Sequence, residues 1–540
     1  MRTAVGIVVD GAARAERSAV MLGLSLLTLL TVVGSISRPL IPIDETRYFG
    51  VAWEMWLRDD FLVPFKNGQP YSHKPPLLMW LFQAGWAVFG INEWWPRLVS
   101  PLAGAGSLFL TASLGRRLWP ERAGIAGPAM LILVSGLLWS VFSTAAMFDI
   151  VLAFFVLAGM LGTLQMADGN ARQGLLLLGL ALGLGLLAKG PVIWLHVLPA
   201  ALLAPWWNPE LLRAGWYGRL FAAFLIGSAI VLAWAIPAGF AGGEAFRRAI
   251  FWGQTADRIV ESFAHRRPFW WYLPLLPVML FPWFVWPGLW RALGRFVGRN
   301  LDRGGRFCLA WMLPVLAAFS CISGKQMHYL IPVFPAFSLL AARALADEQA
   351  LKGIWLPALI ALVMGGGLLA VGWSGWPGRP DATPGILPAL LLVLVALTTF
   401  LVGRGLSRPV ATLAVMGVAV TALGQLAIMP ALAPAYDVRT LAKAIGEAQG
   451  QGRQVVHAGT YHDQYHFAGR LRQPLVEIES TESVKNWLAE HPDDYAVVYA
   501  KSPDEFQAFR PLASQRYRGL AVALLDAPSA RRFLSGSEQP

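Results

Sequence analysis

Long apolar runs alternate with short polar stretches from residue 19 to residue 430. A helix needs about 20 apolar residues to cross a bilayer, and the chain has thirteen runs that we predict to be spanning helices. They cover 19–36, 97–115, 123–141, 147–167, 174–188, 190–206, 219–239, 269–290, 307–322, 327–344, 354–373, 385–403 and 409–430. The run 77–90 is too short to span. Pro75 and Pro76 before it favour a helix that lies along the membrane surface.

The pattern changes after Pro434, where the chain becomes polar and charged. The segments VVHAG (455–459) and YAVVYA (495–500) predict strands, and SVKNWLAEH (483–491) predicts a helix between them. The predicted fold is a polytopic α-helical membrane protein with about thirteen transmembrane helices and a small C-terminal α/β soluble domain. We place the transmembrane domain at 1–435, with its first outer loop at 37–96, and the soluble domain at 436–540.

Composition supports a membrane protein and argues against nucleic-acid binding. The chain has 540 residues, of which 56% are hydrophobic and 14% charged, whereas charged residues make up about a quarter of a soluble domain. The net charge of +12 could suggest a nucleic-acid partner. However, the arginines are scattered through short loops between the apolar runs, which is the pattern that orients membrane proteins.

The basic loops predict the topology. A cytoplasmic N-terminus puts them all on the inner side, and thirteen spans put the C-terminal domain on the outer, periplasmic side of a bacterial inner membrane. These loops include Arg116, Arg117, Arg122, Arg172, Arg291, Arg295, Arg303 and Arg306. The run 19–34 follows Arg14 and Arg17 as in a signal peptide, but we predict an uncleaved first helix.

The outer side then collects charges of both signs next to span ends. Asp44 and Glu45 follow the first span closely, and Asp149 opens the fourth. A solvated loop pair, or an acid favoured by a helix dipole, would explain each acid separately. Near the membrane surface, a partly desolvated carboxylate can also act as a general base toward an acceptor hydroxyl.

Cations and tyrosines on the same side predict an anion site. Each alone could be a residue of the membrane interface, but together the cations suit a phosphate or diphosphate. The cations are Lys74, Lys189, Arg266, Arg267 and Lys325. The tyrosines that could orient a sugar or phosphate are Tyr48, Tyr71, Tyr272 and Tyr329.

Histidines offer a weaker prediction of a divalent metal. His73, His265 and His328 lie on the outer side and could join an acid at a metal, although no tight ligand spacing supports this. His462 and His466 have i, i+4 spacing in the C-terminal domain, but no adjacent partner set accompanies them, so no metal is predicted there. No cofactor is certain.

Together these residues describe a membrane-face cavity with carboxylates beside cations. A lipid with a phosphate headgroup fits it, because the tail would stay among the helices while the phosphate meets lysine and arginine. If the phosphate leaves, the cations stabilise its charge, and a carboxylate prepares the acceptor. This chemistry is glycosyl transfer from a polyprenyl-phosphate sugar.

Several motifs resemble the aminoarabinose–lipid A transferases and their relatives among the GT-C glycosyltransferases, including the protein O-mannosyltransferases. The motifs are DETRY (44–48), YSHKPP (71–76), Phe148-Asp149, LAKG (187–190), RRPFWWY (266–272), SGK (323–325) and YLIP (329–332). They follow the family order over about residues 15–435.

The resemblance implies an enzyme that uses undecaprenyl-phosphate-linked sugars, with inversion expected. Asp44 matches the first catalytic acid of the family and Asp149 the second. Lys74 matches a lysine that binds the carrier phosphate, and Arg266 or Arg267 together with Tyr329 match further phosphate contacts. The remaining predicted substrate-binding residues are Glu45, Arg47, Tyr48, Tyr71, Lys189 and Lys325. His73 stands where relatives carry a glutamate, which puts the role of that glutamate in doubt.

The sequence leaves the donor sugar and the acceptor open. The sugar could be aminoarabinose-like or a hexose, and the acceptor could be lipid A, another glycolipid or a protein. A lipid or sugar transporter would also be polytopic, but transporters usually carry internal repeats and polar groups near the midplane. An interaction protein that works through its C-terminal domain would leave the charges of the first loop unexplained.

Overall fold

The computed structural model describes residues 2–122, 124–213, 215–253, 266–298, 301–348, 352–375, 383–402 and 408–536. The first twelve helices are α1 (Arg2–Ser37), α2 (Asp44–Arg58), α3 (Leu77–Phe89), α4 (Trp94–Leu118), α5 (Ala126–Ser135), α6 (Leu137–Phe142), α7 (Phe148–Ala167), α8 (Ala171–Lys189), α9 (Val192–Leu202), α10 (Ala204–Trp207), α11 (Trp216–Ala241) and α12 (Gly243–Arg248). Later helices cover Leu276–Met279, Pro287–Gly298, Arg303–Cys321, Phe334–Leu345, Trp355–Ser374, Ile386–Val402, Pro409–Leu432, Arg439–Gly450, His466–Gly469, Thr481–Glu490 and Ala527–Gly536.

The helices confirm a multi-pass membrane protein. Among the described residues, nine helices are long and apolar enough to cross a membrane. Four apolar helices are shorter: α3, α5, α9 and Ile386–Val402. The count of thirteen spans stays a prediction, while the split of the 174–206 run is confirmed, because α8 ends at Lys189 and α9 begins at Val192.

Four predicted spans are not continuous α-helices. The span 190–206 forms α9 and α10, and the span 327–344 begins as the 3-10 segment Met327–Val333 before the helix Phe334–Leu345. In the predicted span 123–141, the described residues form α5 and α6, which are separated by Gly136 in an extended conformation. The predicted span 269–290 is wrong as a helix: it contains two short helical turns, Leu273–Leu275 and Leu276–Met279, and Pro287–Gly298 begins only at its end. Five prolines between 268 and 287 explain this, because each lacks the N–H that a helix interior requires.

Helices α7 and α8 form a tight antiparallel pair that positions the site described below. A Cβ added at Gly174 would lie 2.3 Å from the backbone nitrogen of Met166, and one at Gly162 would lie 2.7 Å from that of Leu178. Only glycine therefore allows the two backbones to approach this closely.

The C-terminal region carries a five-stranded mixed sheet. Strands β1 (Phe65–Lys66) and β2 (Gln69–Pro70) form a small hairpin in the first loop. The larger sheet has the order β4 (Val476–Ile478), β3 (Val455–Ala458), β5 (Tyr495–Ala500), β7 (Leu520–Asp526) and β6 (Ala513–Tyr517). Strand β3 is parallel to β4 and β5, whereas β7 is antiparallel to β5 and β6. The two predicted strands and the helix between them are confirmed.

The C-terminal region packs directly against α2 and the hairpin of the first loop. Trp53 donates its Nε1–H to the Leu471 carbonyl over 2.8 Å, and Lys66 Nζ donates to the Tyr461 carbonyl over 2.9 Å. Phe467 stacks on Trp86, with ring centroids 5.4 Å apart and an interplanar angle of 4°. Helix α2 therefore lies between the membrane helices and the C-terminal sheet.

Candidate active site

Asp44 is the first residue of α2, and 46% of its side chain is exposed. Arg47, one turn later, forms an ion pair with Oδ1, and the Tyr48 hydroxyl donates to the same atom over 3.3 Å. The N-terminus of a helix favours a negative charge at this position. Asp44 is thus oriented by two neighbours on its own helix, while nearly half of its side chain stays open to a second molecule.

Glu45, the next residue, is buried. Its carboxylate pairs with Arg38 and accepts backbone hydrogen bonds from Ile41 (2.9 Å) and Ala146 (2.7 Å). Arg38 also donates to the Thr144 carbonyl over 2.8 Å. Burial by itself would raise the pKa of Glu45, but the Arg38 charge and these hydrogen bonds bring the pKa below its usual value. Glu45 therefore ties the first loop to the turn that precedes α7.

Phe148, the first residue of α7, supports two predicted substrate-binding residues. The Tyr48 ring meets it edge-on, with centroids 4.7 Å apart, and Lys74 Nζ lies 5.8 Å from its ring centroid. Burial, reinforced by the Asp44 charge, raises the pKa of Tyr48 well above its usual range. Tyr48 consequently stays protonated and able to donate a hydrogen bond.

Asp149 is the second residue of α7 and is buried in an ion pair with Lys189, the last residue of α8. Because the two helices are antiparallel, the first turn of one meets the last turn of the other. A negative charge at a helix start and a positive charge at a helix end are both favoured by the helix dipoles. Lys74 and His328 lie within electrostatic range of Asp149.

The 3-10 segment Met327–Val333 closes the site on the opposite side. The Tyr329 ring centroid lies 5.1 Å from Lys189 Nζ. His328 lies within electrostatic range of Asp44 as well as of Asp149 and the two lysines, Lys74 and Lys189. This segment therefore brings the charges of the first loop and those of the α7–α8 pair around one location.

The segment 266–272 is attached to the loop 322–326. Arg266 pairs with Gly324 in an isolated antiparallel bridge, and the Arg267 backbone N–H donates to the Ser323 carbonyl over 3.1 Å. Lys325 is buried, and its ammonium donates to the carbonyls of Arg267 (3.0 Å) and Ile322. Lys325 thus holds two loops together.

A cavity of about 990 Å³ begins beside the Asp149–Lys189 pair. Lys189 and His73 lie at its polar end. Its walls are mostly apolar and come from α8, α9, α11 and the helix Arg303–Cys321. Wall residues include Trp194, Leu195, Leu198, Leu202, Val231, Trp234 and Phe319. The cavity can therefore accept a long apolar chain whose charged end faces lysine.

The structure brings most of the predicted site residues together and separates the rest. The first group contains Asp44, Arg47, Tyr48, Tyr71, Lys74, Asp149, Lys189 and Tyr329. Arg266, Arg267 and Lys325 form a neighbouring group, linked to the first through Tyr272, which lies near Tyr329. Of the three outer histidines predicted as possible metal ligands, His73 lies at the cavity with its ring centroid 5.3 Å from that of Tyr71, and His328 lies within electrostatic range of Asp149 and Asp44. His265 lies outside the described residues, and no cofactor is established for the chain.

Sequence reasoning missed several contributors. His328 is predicted only as a possible metal ligand and not as a member of the transfer site, although its position beside Tyr329 of the YLIP motif is a usable signal. Phe148 is predicted only as part of the Phe148-Asp149 motif, with no role of its own, and Arg38, which pairs with Glu45 and the Thr144 carbonyl, carries no signal. A buried group of Glu54, Asp463 and His466 also lies outside the predicted site, with one ligand atom from each within 4.8 Å of the others.

Known proteins resemble this chain in sequence. A family model for dolichyl-phosphate-mannose-protein mannosyltransferases matches residues 44–242. The undecaprenyl phosphate-α-4-amino-4-deoxy-L-arabinose arabinosyl transferase of Pseudomonas paraeruginosa is 34% identical over 322 residues, which cover 57% of this chain and 57% of that protein. The corresponding transferase 2 of Pseudomonas fluorescens (strain Pf0-1) is 30% identical over 437 residues, which cover 77% of this chain and 75% of that protein. The matched region thus spans little more than half of the Pseudomonas paraeruginosa protein and three quarters of the Pseudomonas fluorescens protein.

Solved structures share the fold. The crystal structure of ArnT from Cupriavidus metallidurans bound to undecaprenyl phosphate matches with a TM-score of 0.75 at 20% identity, covering 94% of this chain and 97% of that one. The apo structure of the same protein matches with a TM-score of 0.72 at 22% identity, covering 98% of this chain and 99% of that one. The match over nearly both whole chains establishes the GT-C fold with its small C-terminal sheet.

Proposed function

This chain belongs to the family of undecaprenyl phosphate-α-4-amino-4-deoxy-L-arabinose arabinosyl transferases, and on that premise we propose that it is a membrane glycosyltransferase. Its donor is a sugar linked to a polyprenyl phosphate, and its acceptor is lipid A or another envelope molecule. The names of the relatives support an aminoarabinose-like sugar, while the matching mannosyltransferase model keeps a hexose as the alternative.

The observation that carries this proposal is that Asp44, Lys74 and Lys189 lie around one location, and that Lys189 also lines the apolar cavity. The cavity would take part of the polyprenyl chain, and Lys74 and Lys189 would contact the phosphate. Asp44 would face the acceptor with its exposed carboxylate oxygen. A lipid donor and a polar acceptor can meet only where such an apolar cavity reaches a charged surface.

The transfer itself is a single displacement. The acceptor hydroxyl forms a bond to the anomeric carbon while the bond from that carbon to the phosphate oxygen breaks, and this inverts the configuration. Asp44 takes the proton of the acceptor as general base. The electron pair of the broken bond goes to the phosphate, whose added charge is stabilised by Lys74 and Lys189.

The other residues have supporting roles in this proposal. Arg47 and Tyr48 orient Asp44, and Asp149 holds Lys189 beside the phosphate. Glu45 and Lys325 are positioning residues, because both are committed to contacts inside the protein. Tyr71, Tyr329, Arg266 and Arg267 would contact the donor, and His73 with His265 remains the predicted pair for a divalent metal.

We further propose that residues 1–435 form the catalytic transmembrane domain and 436–540 a periplasmic domain. The N-terminus is cytoplasmic in this arrangement, and the membrane is the bacterial inner membrane. The basic loops predicted to be inner support this orientation.

Mass spectrometry of envelope lipids tests the proposal. Cells without this protein are complemented with the wild type, with Asp44→Asn, or with Asp59→Asn. Asp59 is the matched control, because it is exposed at the other end of α2 and its left-handed backbone conformation (φ 53°) suits asparagine. We expect one glycolipid to lose a sugar without the protein and with Asp44→Asn, and to regain it with the wild type and with Asp59→Asn.

Two other outcomes would redirect the assignment. If lipids are unchanged but exported glycoproteins lose a sugar, the acceptor is a protein. If neither class changes, the transferase proposal fails in favour of a transporter.

A further inference from the structure

Three titratable side chains meet in the contact between α2 and the C-terminal region, outside the proposed transfer site. Glu54 lies on α2, and Asp463 and His466 lie on the segment between β3 and β4. All three are buried: their side chains are 6%, 0% and 2% exposed. A Cβ at Gly50, one turn before Glu54, would lie 2.4 Å from Asp463 Oδ2, so this segment rests directly on the helix.

The three groups are joined by one direct contact and one wider gap: His466 Nδ1 lies 3.1 Å from Asp463 Oδ1, whereas the gap between His466 and Glu54 is of the size that an ion fills. His466 Nε2 lies 3.7 Å from Glu54 Oε1, which is too long for a hydrogen bond. Two ligands on a tetrahedral Zn²⁺ with bonds of about 2.0–2.2 Å lie roughly 3.3–3.5 Å apart. One ligand atom from each of the three residues falls within 4.8 Å of the others, so a small contraction would bring all of them onto one ion.

The charges in this cluster lack a sufficient positive partner. His466 is buried with its Nε2 toward Glu54, and a neutral imidazole offers one lone pair to a metal ion. Arg58 approaches Glu54 only to 3.9 Å, and Lys66, which lies within electrostatic range of Asp463, donates its hydrogen bond to the Tyr461 carbonyl. Asp463 Oδ2 is buried and has no hydrogen-bond partner. The two carboxyl groups need either a bound cation or a proton between them.

The surroundings hold the candidate ligands in place. The Tyr461 hydroxyl is 2.8 Å from His466 Nδ1, which leaves Nε2 to face Glu54. The two Glu54 oxygens accept hydrogen bonds from the backbone N–H groups of Asn67 and Gly68, and Asn67 also donates to Asp463 Oδ1 over 3.1 Å. Outer-shell hydrogen bonds of this kind orient the ligands of protein metal sites.

We propose that Glu54, Asp463 and His466 bind one divalent transition-metal ion, Zn²⁺ by preference, and that this ion fastens the C-terminal region to α2. One imidazole with two carboxylates is a donor set that Zn²⁺ accepts, and a solvent molecule would complete the four ligands. The ion lets both carboxylates stay charged inside the protein, because it supplies the missing positive charge. This site does not depend on the proposed transfer reaction.

Metal content and thermal unfolding of the purified, tag-free chain in detergent test the proposal. We expect about one equivalent of zinc per chain after growth in zinc-supplemented medium, in keeping with a structural site. Removal by a chelator should lower the unfolding midpoint, and added ZnCl₂ should restore it. His466→Gln should abolish both the bound zinc and the shift.

His491→Gln is the matched control, because His491 lies in the same C-terminal region and stacks on Trp487 away from the cluster. This variant should keep the bound zinc and the change of unfolding midpoint on chelation. The proposal is overturned if the wild type carries no zinc and neither chelator nor ZnCl₂ moves its midpoint. Asp463→Asn with wild-type stability would then identify a shared proton between the two carboxyl groups.

Discussion

Asp44 and Asp149 both lie in the first turn of a helix, yet their surroundings differ. Asp149 is buried and its charge is matched by Lys189, whereas Asp44 is half-exposed with Arg47 and Tyr48 on one oxygen. A group that takes a proton from an acceptor has to be reachable. This difference supports the proposal that Asp44 is the base and that Asp149 holds the lysine.

Only the family resemblance distinguishes the predicted roles of Asp44, a catalytic acid, and Glu45, a substrate contact, because adjacent acids look alike in a polar loop. The structure separates them: successive residues on a helix point about 100° apart, and Glu45 turns toward Arg38. The roles predicted for Asp44, Asp149 and Lys74 come from the family resemblance and stay predictions. The approach of His328 to Asp44 joins residues almost 300 positions apart, and a single sequence offers no pattern for it.

Glu45→Gln should destabilise the protein strongly. The substitution leaves Arg38 buried without a counter-charge, and breaking a buried ion pair costs about 3–5 kcal/mol. We expect a lower thermal midpoint in detergent, and partial recovery in Arg38→Met/Glu45→Gln, which removes both charges. A Glu45→Gln midpoint equal to that of the exposed control Asp59→Asn would contradict the structural role.

At the scale of elements, the α7–α8 pair determines where Asp149 and Lys189 meet. The apolar segments of both helices were predictable from the sequence. The short distance between the two backbones depends on which glycines face each other, and hydrophobicity alone does not specify this. The wrong prediction of a helix over 269–290 has a different cause. The segment is hydrophobic enough for a spanning helix, but its prolines lack the N–H groups that a helix interior requires.

Gly174→Ala should separate the α7–α8 pair and lower both stability and transfer. The new methyl group would collide with the Met166 backbone, which cannot move aside without the whole helix. We expect a lower thermal midpoint and slower transfer. Gly366→Ala is the control, since nothing lies within 4 Å of its Cβ position in the helix Trp355–Ser374, and alanine there should stabilise the helix by about 0.5–1 kcal/mol. Equal midpoints for both variants would contradict the close packing.

The β-sheet region should lose stability in mild acid. His457 on β3 is buried between the Gly459 carbonyl and the Tyr499 hydroxyl, and burial lowers its pKa from 6.5 to about 4. As the pH falls, His457 takes up a proton near pH 6.5 in the unfolded chain but not in the folded chain. The folded state is therefore fully stable with respect to this group above about pH 6.5, and it loses stability as the pH falls to about 4.

The full effect of His457 on the unfolding free energy is on the order of 3 kcal/mol. Hydrogen exchange of the sheet amides across this pH window measures it. The protection of His457→Gln should depend less on pH than that of the wild type, and parallel profiles for the two proteins would exclude His457 as the cause. Comparing the two cancels the contribution of His466, which is common to both.

At the scale of the whole molecule, the loops predicted to be inner converge on one face. Asp168 pairs with Arg117 and Arg303, and Asp347 pairs with Arg122 and Arg343. The site and the C-terminal sheet lie at the other ends of these helices. Hydropathy and the basic loops could predict that the basic loops and the site lie on opposite faces of the membrane helices. The packing of the sheet against α2 involves residues about 400 positions apart and could not be predicted from the sequence.

Reporter fusions test the proposed orientation. Alkaline phosphatase, which is active only after export, should be active when fused after Gly536 and inactive when fused in the short α7–α8 loop at Gly169. A fluorescent protein that folds only in the cytoplasm should show the opposite pattern. Phosphatase activity at Gly169 and none after Gly536 would reverse the topology.

The most direct test of the central claim compares donor binding with turnover in the purified protein. Wild type, Asp44→Asn and Asp59→Asn are given a synthetic polyprenyl-phosphate sugar with a lipid A acceptor. If Asp44 is the general base, kcat of Asp44→Asn should fall by about 10²–10⁴-fold, while the Kd for the donor stays near that of the wild type and Asp59→Asn retains full activity. Transfer by Asp44→Asn at the wild-type rate would contradict the assignment.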